Sequence, residues 1–194
     1  LDQSAFRRST SVYLVDRVLP MLPERLSNGL CSLRPEEDKC TFSAVFVFSK
    51  GGKVLKRWFG RTVIHSNRRF SYEEAQEVID SGEGDFAEEL KQLNVIAKKL
   101  RKEKYKIGAI SFESDDVKFR LDEESKPVEV YLKERKEAHL LIEDFMLLAN
   151  REVATFMAKK AKPKEVPFIY RVHDQPDPEK LLEFARFAAL MGFY

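Results

Sequence analysis

The chain has 194 residues, of which 43% are hydrophobic, 34% charged and 11% aromatic, enough apolar content for one globular core. A net charge of +2 is too small to name a polyanionic partner, and no apolar run reaches the ~18 residues that a membrane span needs. No signal peptide is present, and Cys31 and Cys40 lack a second CxxC-type pair, so they are expected to be reduced, buried or half-buried thiols of a cytosolic protein.

The first residue is Leu1 rather than Met, so the chain is expected to be a segment cut from a longer polypeptide. Residues 1–10 read as the end of a helix begun upstream. The stretch "PMLPERLSNGLCSL", Pro20 to Leu33, has two prolines three apart and an Asn28-Gly29 step inside a mostly apolar run, which makes it a poor helix and a poor strand. Each proline fixes its own φ and removes a backbone donor, and Asn-Gly signals a turn. An ordered, irregular, apolar loop is expected there. Residues 41–48, "TFSAVFVF", are rich in β formers; "SKGGK" supplies a turn, and 54–65 returns as a second strand, completing a hairpin.

Ser71 stands three residues before Glu74, the capping-box spacing, so a helix starts there and "SGEGD" ends it. A lysine-rich amphipathic helix is predicted over 85–106, with Leu90, Leu93, Ile96, Ala97 and Leu100 on its apolar face. Two short strands near 116–121 and 127–133 flank the polar turn "DEESK". Residues 136–161 form the most apolar helix, expected to be central and buried, since a helix that is apolar almost all round is normally enclosed. A strand at 167–172 and an amphipathic helix at 178–191 close the chain, and the whole reads as α+β without internal repeats.

Phosphodiester hydrolysis commonly uses clustered carboxylates to hold Mg²⁺ against the transferred phosphate. The candidates are Glu36-Glu37-Asp38, Asp115-Asp116 and Glu143-Asp144. Adjacent carboxylates point to opposite faces of a strand, or about 100° apart on a helix, so no pair makes a metal cage by itself. His65, His139 and His173 lie far apart without HExxH spacing, and GxGxxG, Walker A and GxSxG motifs are absent. Taken alone, the segment carries no self-sufficient active site.

Glu143 lies inside the apolar 136–161 helix, where an acid needs a partner or a water-filled cavity. Its residues leave two readings: a satisfied core acid, or a carboxylate accepting hydrogen bonds from hydroxyls such as those of a ribose. Aromatics beside basic residues are what single-strand nucleic-acid binding uses, because every base has a face to stack on. Tyr13 lies beside the Pro-rich loop, Tyr72 just after Arg68-Arg69, and Phe112 after "GAIS", and each is equally readable as core.

The string "SVYLVDRVLPMLPERLSNGLCSL" closely resembles the ribonuclease II/ribonuclease R (RNB) exoribonuclease family, in the segment that follows the family's catalytic aspartates. The likeness continues through "RRFSYEEAQEVI", "GAISFESDDVKFRLDE", "AHLLIEDFMLLAN" and "FIYRVHDQPDPEKL", covering essentially the whole chain in the family's order and looking most like its bacterial ribonuclease R branch. The resemblance implies a processive, cytoplasmic and monomeric 3′→5′ exoribonuclease. Such an enzyme threads single-stranded RNA into a deep channel and releases nucleoside 5′-monophosphates using Mg²⁺.

Residue by residue, the resemblance matches Tyr13 to a tyrosine near the 3′-terminal nucleotide and Phe112 to the phenylalanine that clamps the stacked bases with it. Tyr72 matches a third aromatic on the RNA path that helps to set the smallest product, and Glu143 a helix glutamate touching RNA near the scissile end. The Pro-rich loop would hold Tyr13 with a rigid backbone. The family's aspartate cluster would lie upstream of Leu1, its scissile-phosphate arginine motif beyond Tyr194, and its cold-shock and S1 domains outside both. Residues 1–194 are therefore expected to be a single segment of the RNB catalytic domain, truncated at both ends, part of the channel wall and inactive alone. The alternative is a non-catalytic RNB-fold RNA-binding protein.

Overall fold

The computed structural model describes residues 2–110, 116–161 and 166–193, with helices and small antiparallel sheets in an α+β arrangement. The chain divides into two compact units, Leu1–Val153 and Ala154–Tyr194.

In the first unit, helix α1 (Asp2–Arg8) leads into a small hairpin of β1 (Val12–Tyr13) and β2 (Val18–Leu19), in which Tyr13 pairs with Val18. Arg8 Nη1 donates to the Pro20 carbonyl at 2.7 Å, and the Ser11 hydroxyl accepts from Met21 N at 3.0 Å, so the start of the Pro-rich stretch is tied across the hairpin. The stretch is more regular than expected. Residues Arg25–Leu30 wind into a π-helical turn, closed by Cys31 N donating to the Leu26 carbonyl at 2.9 Å. Pro23 stands just before it, where a missing N–H costs nothing and its carbonyl accepts from Leu26 N and Ser27 N.

The expected hairpin is the longest pairing: β3 (Asp38–Phe48) runs antiparallel to β4 (Val54–His65), with an irregularity between Val47 and Phe48. Period-2 alternation puts Thr41, Ser43, Phe46 and Phe48 on the better-covered face and leaves Phe42 exposed on the other. On the covered face the hydroxyls of Thr41, Ser43 and Thr62 satisfy one another, with 2.6 Å from Thr62 to each of the other two. The cysteines correct the expectation of burial. Both are free thiols but exposed, Cys40 because the same alternation turns it to the open face of a two-stranded sheet. A third pair, β5 (Asp116–Leu121) with β6 (Pro127–Lys133), falls on the expected bounds, and Asp122 Oδ1 closes its turn by accepting from Glu124 N and Lys126 N.

Three helices of this unit matter for function. Helix α2 (Tyr72–Ser81) begins at the capping box: the Ser71 hydroxyl accepts from Glu74 N, Glu74 Oε2 accepts from Ser71 N at 2.7 Å, and Gly82 ends the helix at φ 72°. Helix α3 (Ala87–Lys106) buries Asn94 and Ala97. Helix α4 (Glu137–Lys160) buries Ala138, Leu141, Asp144 and Leu148, one stripe at helical spacing. The expectation of an all-round buried helix is therefore corrected: Ile142, Met146 and Leu147 are exposed, because α2 and α3 cover only one side of α4.

The unit boundary falls within α4. The second unit holds the end of that helix and α5 (Pro178–Leu190), which starts on Asp177 as cap and Pro178 at its first turn. The strand expected at 167–172 is not formed; 166–177 has no regular structure. A strand is stable only when its N–H and C=O groups find a partner strand, Pro167 removes one donor, and this unit contains no strand to pair with among the described residues. Phe168 and Tyr170 instead pack edge to face, 4.9 Å between centroids.

Candidate functional site

Tyr72 and Glu143, two of the four residues singled out in the sequence, come into one neighbourhood, and His139 stands between them. Tyr72 is the first residue of α2 after the Ser71 cap, so its backbone is fixed where the helix starts. Its ring lies parallel to that of His139 on the first turn of α4, 4.0 Å between centroids and 12° between planes, while 40% of Tyr72 remains exposed. Glu143 follows His139 by four residues, one turn further along α4. Beneath Tyr72 is a hollow of about 400 Å³, lined by Phe70, Ala75, Ile79, Leu90, Leu141 and Ile142 among others, where α2, α3 and α4 converge.

The N-terminus of α4 is held from two sides. Lys136 N donates to His139 Nδ1 at 3.3 Å, a reach-back from the third helical residue to the cap, and Ala138 N donates to Gln76 Oε1 of α2 at 3.0 Å. Two donors that a helix start leaves orphaned are thus used to dock α2 onto α4.

Behind this lies an ion-pair cluster that the sequence reading missed. Arg101 of α3 donates from Nε to Asp144 Oδ2 at 2.9 Å and from Nη1 to Glu137 Oε1 at 3.1 Å. Lys98 reaches Glu137, Lys104 lies 3.6 Å from Glu143 and 4.0 Å from Asp144, and Arg135 pairs with Glu143. Four cations thus face three carboxylates. Burial works against the Arg101 charge, but hydrogen bonds to Glu137 and Asp144 more than offset it and hold its pKa above the usual guanidinium value.

The expectation that Glu143 is an enclosed acid is corrected here: its side chain is 37% exposed and matched by Lys104 and Arg135, and the enclosed acid is Asp144. One residue is 100° on a helix, and the buried stripe runs through 141, 144 and 148. The signal was legible: Asp144 sits at the stripe's spacing, and an arginine on the lysine-rich helix was available to pair with it.

Tyr13 stands apart, on β1, with its backbone paired to Val18 and 78% of the residue exposed. Phe112 lies outside the described residues. Among the described residues no three His, Cys, Asp or Glu side chains are grouped as a metal ion needs, and the carboxylates nearest Tyr72 already face cations. The residues present do not fit a Mg²⁺ site. No helix among the described residues is long and apolar enough to cross a membrane.

The profile of the RNB domain matches residues 1–193. Ribonuclease R of Thermotoga maritima is 39% identical over 99% of this chain and 27% of its own length, and ribonuclease R 1 of Lactococcus lactis is 37% identical over 99% of this chain and 24% of its own. The chain therefore spans about a quarter of the length of these relatives. Among solved structures, Mycoplasma genitalium RNase R in complex with ribose-methylated single-stranded RNA superposes with a TM-score of 0.88 at 26% identity, covering 98% of this chain and 30% of that one.

Proposed function

This chain belongs to the RNB domain family, and from that premise we propose that it is part of a processive 3′→5′ exoribonuclease that takes single-stranded RNA and releases nucleoside 5′-monophosphates. The observation that carries the reading is the pairing of a held, part-exposed aromatic ring with a carboxylate one helical turn away: Tyr72 on His139, with Glu143 beyond it. A ring offers a face to any base, which suits an enzyme that must accept every sequence, and a carboxylate accepts hydrogen bonds from the hydroxyls that distinguish RNA. The complex of the Mycoplasma relative with single-stranded RNA supports that class of partner.

In this reading Tyr13 meets the 3′-terminal nucleotide, Phe112 closes a clamp with it, Tyr72 stacks on a base farther back and Glu143 contacts the RNA near the cut. The chain is a portion of the RNB catalytic domain that lines the channel, and Mg²⁺ is held elsewhere in the enzyme. The test is direct. The intact protein, given 5′-labelled single-stranded RNA and Mg²⁺, should shorten it from the 3′ end to a short limit product and stop with EDTA. Internal cuts, or no metal-dependent loss of RNA, would overturn the reading. Residues 1–194 alone should leave the same RNA intact, and limit products that scale with that chain and vanish with EDTA would overturn the assignment of the metal to another part.

A further inference from the structure

Tyr72 is not a free-standing ring, and the side chain that fixes it is itself fixed. The His139 imidazole is parallel to the phenol at 4.0 Å and 12°. Its own plane is set by Nδ1 accepting from Lys136 N at 3.3 Å, at the start of a helix whose next donor, Ala138 N, is bound by Gln76 of α2. The two rings are therefore attached to two helix starts that are hydrogen-bonded to each other, one capped by Ser71 and Glu74, the other by His139 and Gln76. A tyrosine without such support samples several χ1 wells and must be ordered when a base arrives, at a cost in affinity.

We infer that His139 is a positioning residue for RNA, a backing plate that holds the Tyr72 ring in the orientation in which a base stacks on it. This rests on the reading of Tyr72 as a base platform and adds a residue to it. His139 acts through Tyr72, so its loss should reproduce the loss of Tyr72 in kind. A planar ring at 139 should be what matters, beyond the hydrogen bond to Lys136 N.

The experiment uses the intact protein and four variants, Tyr72→Ala, His139→Ala, His139→Phe and His139→Gln. The readouts are the limit-product length from 5′-labelled RNA, affinity for a short RNA oligomer carrying 2-aminopurine, whose fluorescence is quenched by stacking, and thermal melting. Tyr72→Ala is expected to lengthen the limit product. His139→Ala should lengthen it likewise and weaken oligomer binding roughly two- to tenfold, the range of one aromatic pair, with less quenching. His139→Phe should restore the original length. His139→Gln, which keeps an acceptor for Lys136 N but no ring, should melt like the parent and still give the longer product.

Wild-type products and affinity from both His139→Ala and His139→Gln, with longer products from Tyr72→Ala, would overturn the role of His139 and leave the Tyr72 platform standing. Wild-type products from Tyr72→Ala would overturn the platform, and the backing plate with it. If His139→Ala fails to fold, His139→Phe and His139→Gln decide: the same product length from both would overturn the inference.

Discussion

The carboxylate of Asp144 has 3% of its side chain exposed and meets Arg101 Nε at 2.9 Å, whereas that of Glu143, one residue earlier, is 37% exposed. The two acids should answer substitution differently. Removing one partner of a buried pair strands the other charge, which costs about 3–5 kcal/mol, so Asp144→Ala should lower the stability of the protein by that order in chemical denaturation. Replacing both, as Arg101→Met with Asp144→Leu, should recover most of the loss because no stranded charge remains. Glu143→Gln removes a part-exposed pair and should cost no more than about 1 kcal/mol, while weakening RNA binding if its carboxylate contacts the ribose. A denaturation midpoint that falls further for Glu143→Gln than for Asp144→Ala would reverse the assignment of the buried acid. From sequence alone, an acid in an apolar helix was visible, but which of two adjacent acids turned inward depended on helical phase, and phase is set by what packs against the helix.

At the level of elements, local chemistry was legible wherever it was self-contained. The Ser71–Glu74 spacing marked a helix start because the cap is made by residues three apart, and both of its hydrogen bonds are present. The β3–β4 hairpin was legible because its turn and both strands are consecutive. The strand at 167–172 was misread for the complementary reason: β-rich composition was present, but a partner strand is a fact about the rest of the fold. The cap yields a test. Ser71→Ala should destabilise α2 by about 1 kcal/mol, seen as earlier amide exchange across Tyr72–Ser81. The Glu74 carboxyl is held below its ordinary value of 4.5 by the backbone hydrogen bond from Ser71, then by the Ser71 hydroxyl, with Arg68 nearby. A lowered folded pKa stabilises at pH above the unfolded value and is lost as pH falls through the folded one. Protection of α2 should therefore hold at neutral pH and erode below about 4.5, and Glu74→Gln should remove that pH dependence. Exchange of α2 that is unchanged between pH 7 and pH 3.5 would contradict it.

On the scale of the whole chain, the buried apolar residues among those described are Ala97, Ala138, Leu141 and Leu148, a single seam in the first unit. A globular domain of comparable size buries about 70% of the surface of its unfolded chain, and a seam of this size falls well short of that. Meanwhile Phe42 and Val63 on the β3–β4 hairpin, and Met146 and Leu147 on α4, are exposed. In the second unit the same holds for Phe184, Phe187 and Leu190 of α5. Contiguous apolar surface of this kind is normally covered by another part of a protein. The relatives are about four times as long, which provides material for such cover. The expected consequence is measurable on two proteins. Residues 1–194 alone should bind the dye ANS strongly and unfold in a broad, weakly cooperative transition, because the entropy of ordering the chain is opposed by too little buried area. The intact protein should bind little ANS and protect the amides of β3, β4 and α5 from exchange. Helix α4 should be the most protected element in both, since the buried stripe and the Arg101 pair with Asp144 belong to the chain itself. If residues 1–194 melt sharply without binding the dye, the seam is sufficient and the exposed faces need no cover. If the intact protein leaves α5 as fast to exchange as the short chain does, that helix meets its partner outside the polypeptide, and the place to look is the surface formed by Phe184, Phe187 and Leu190.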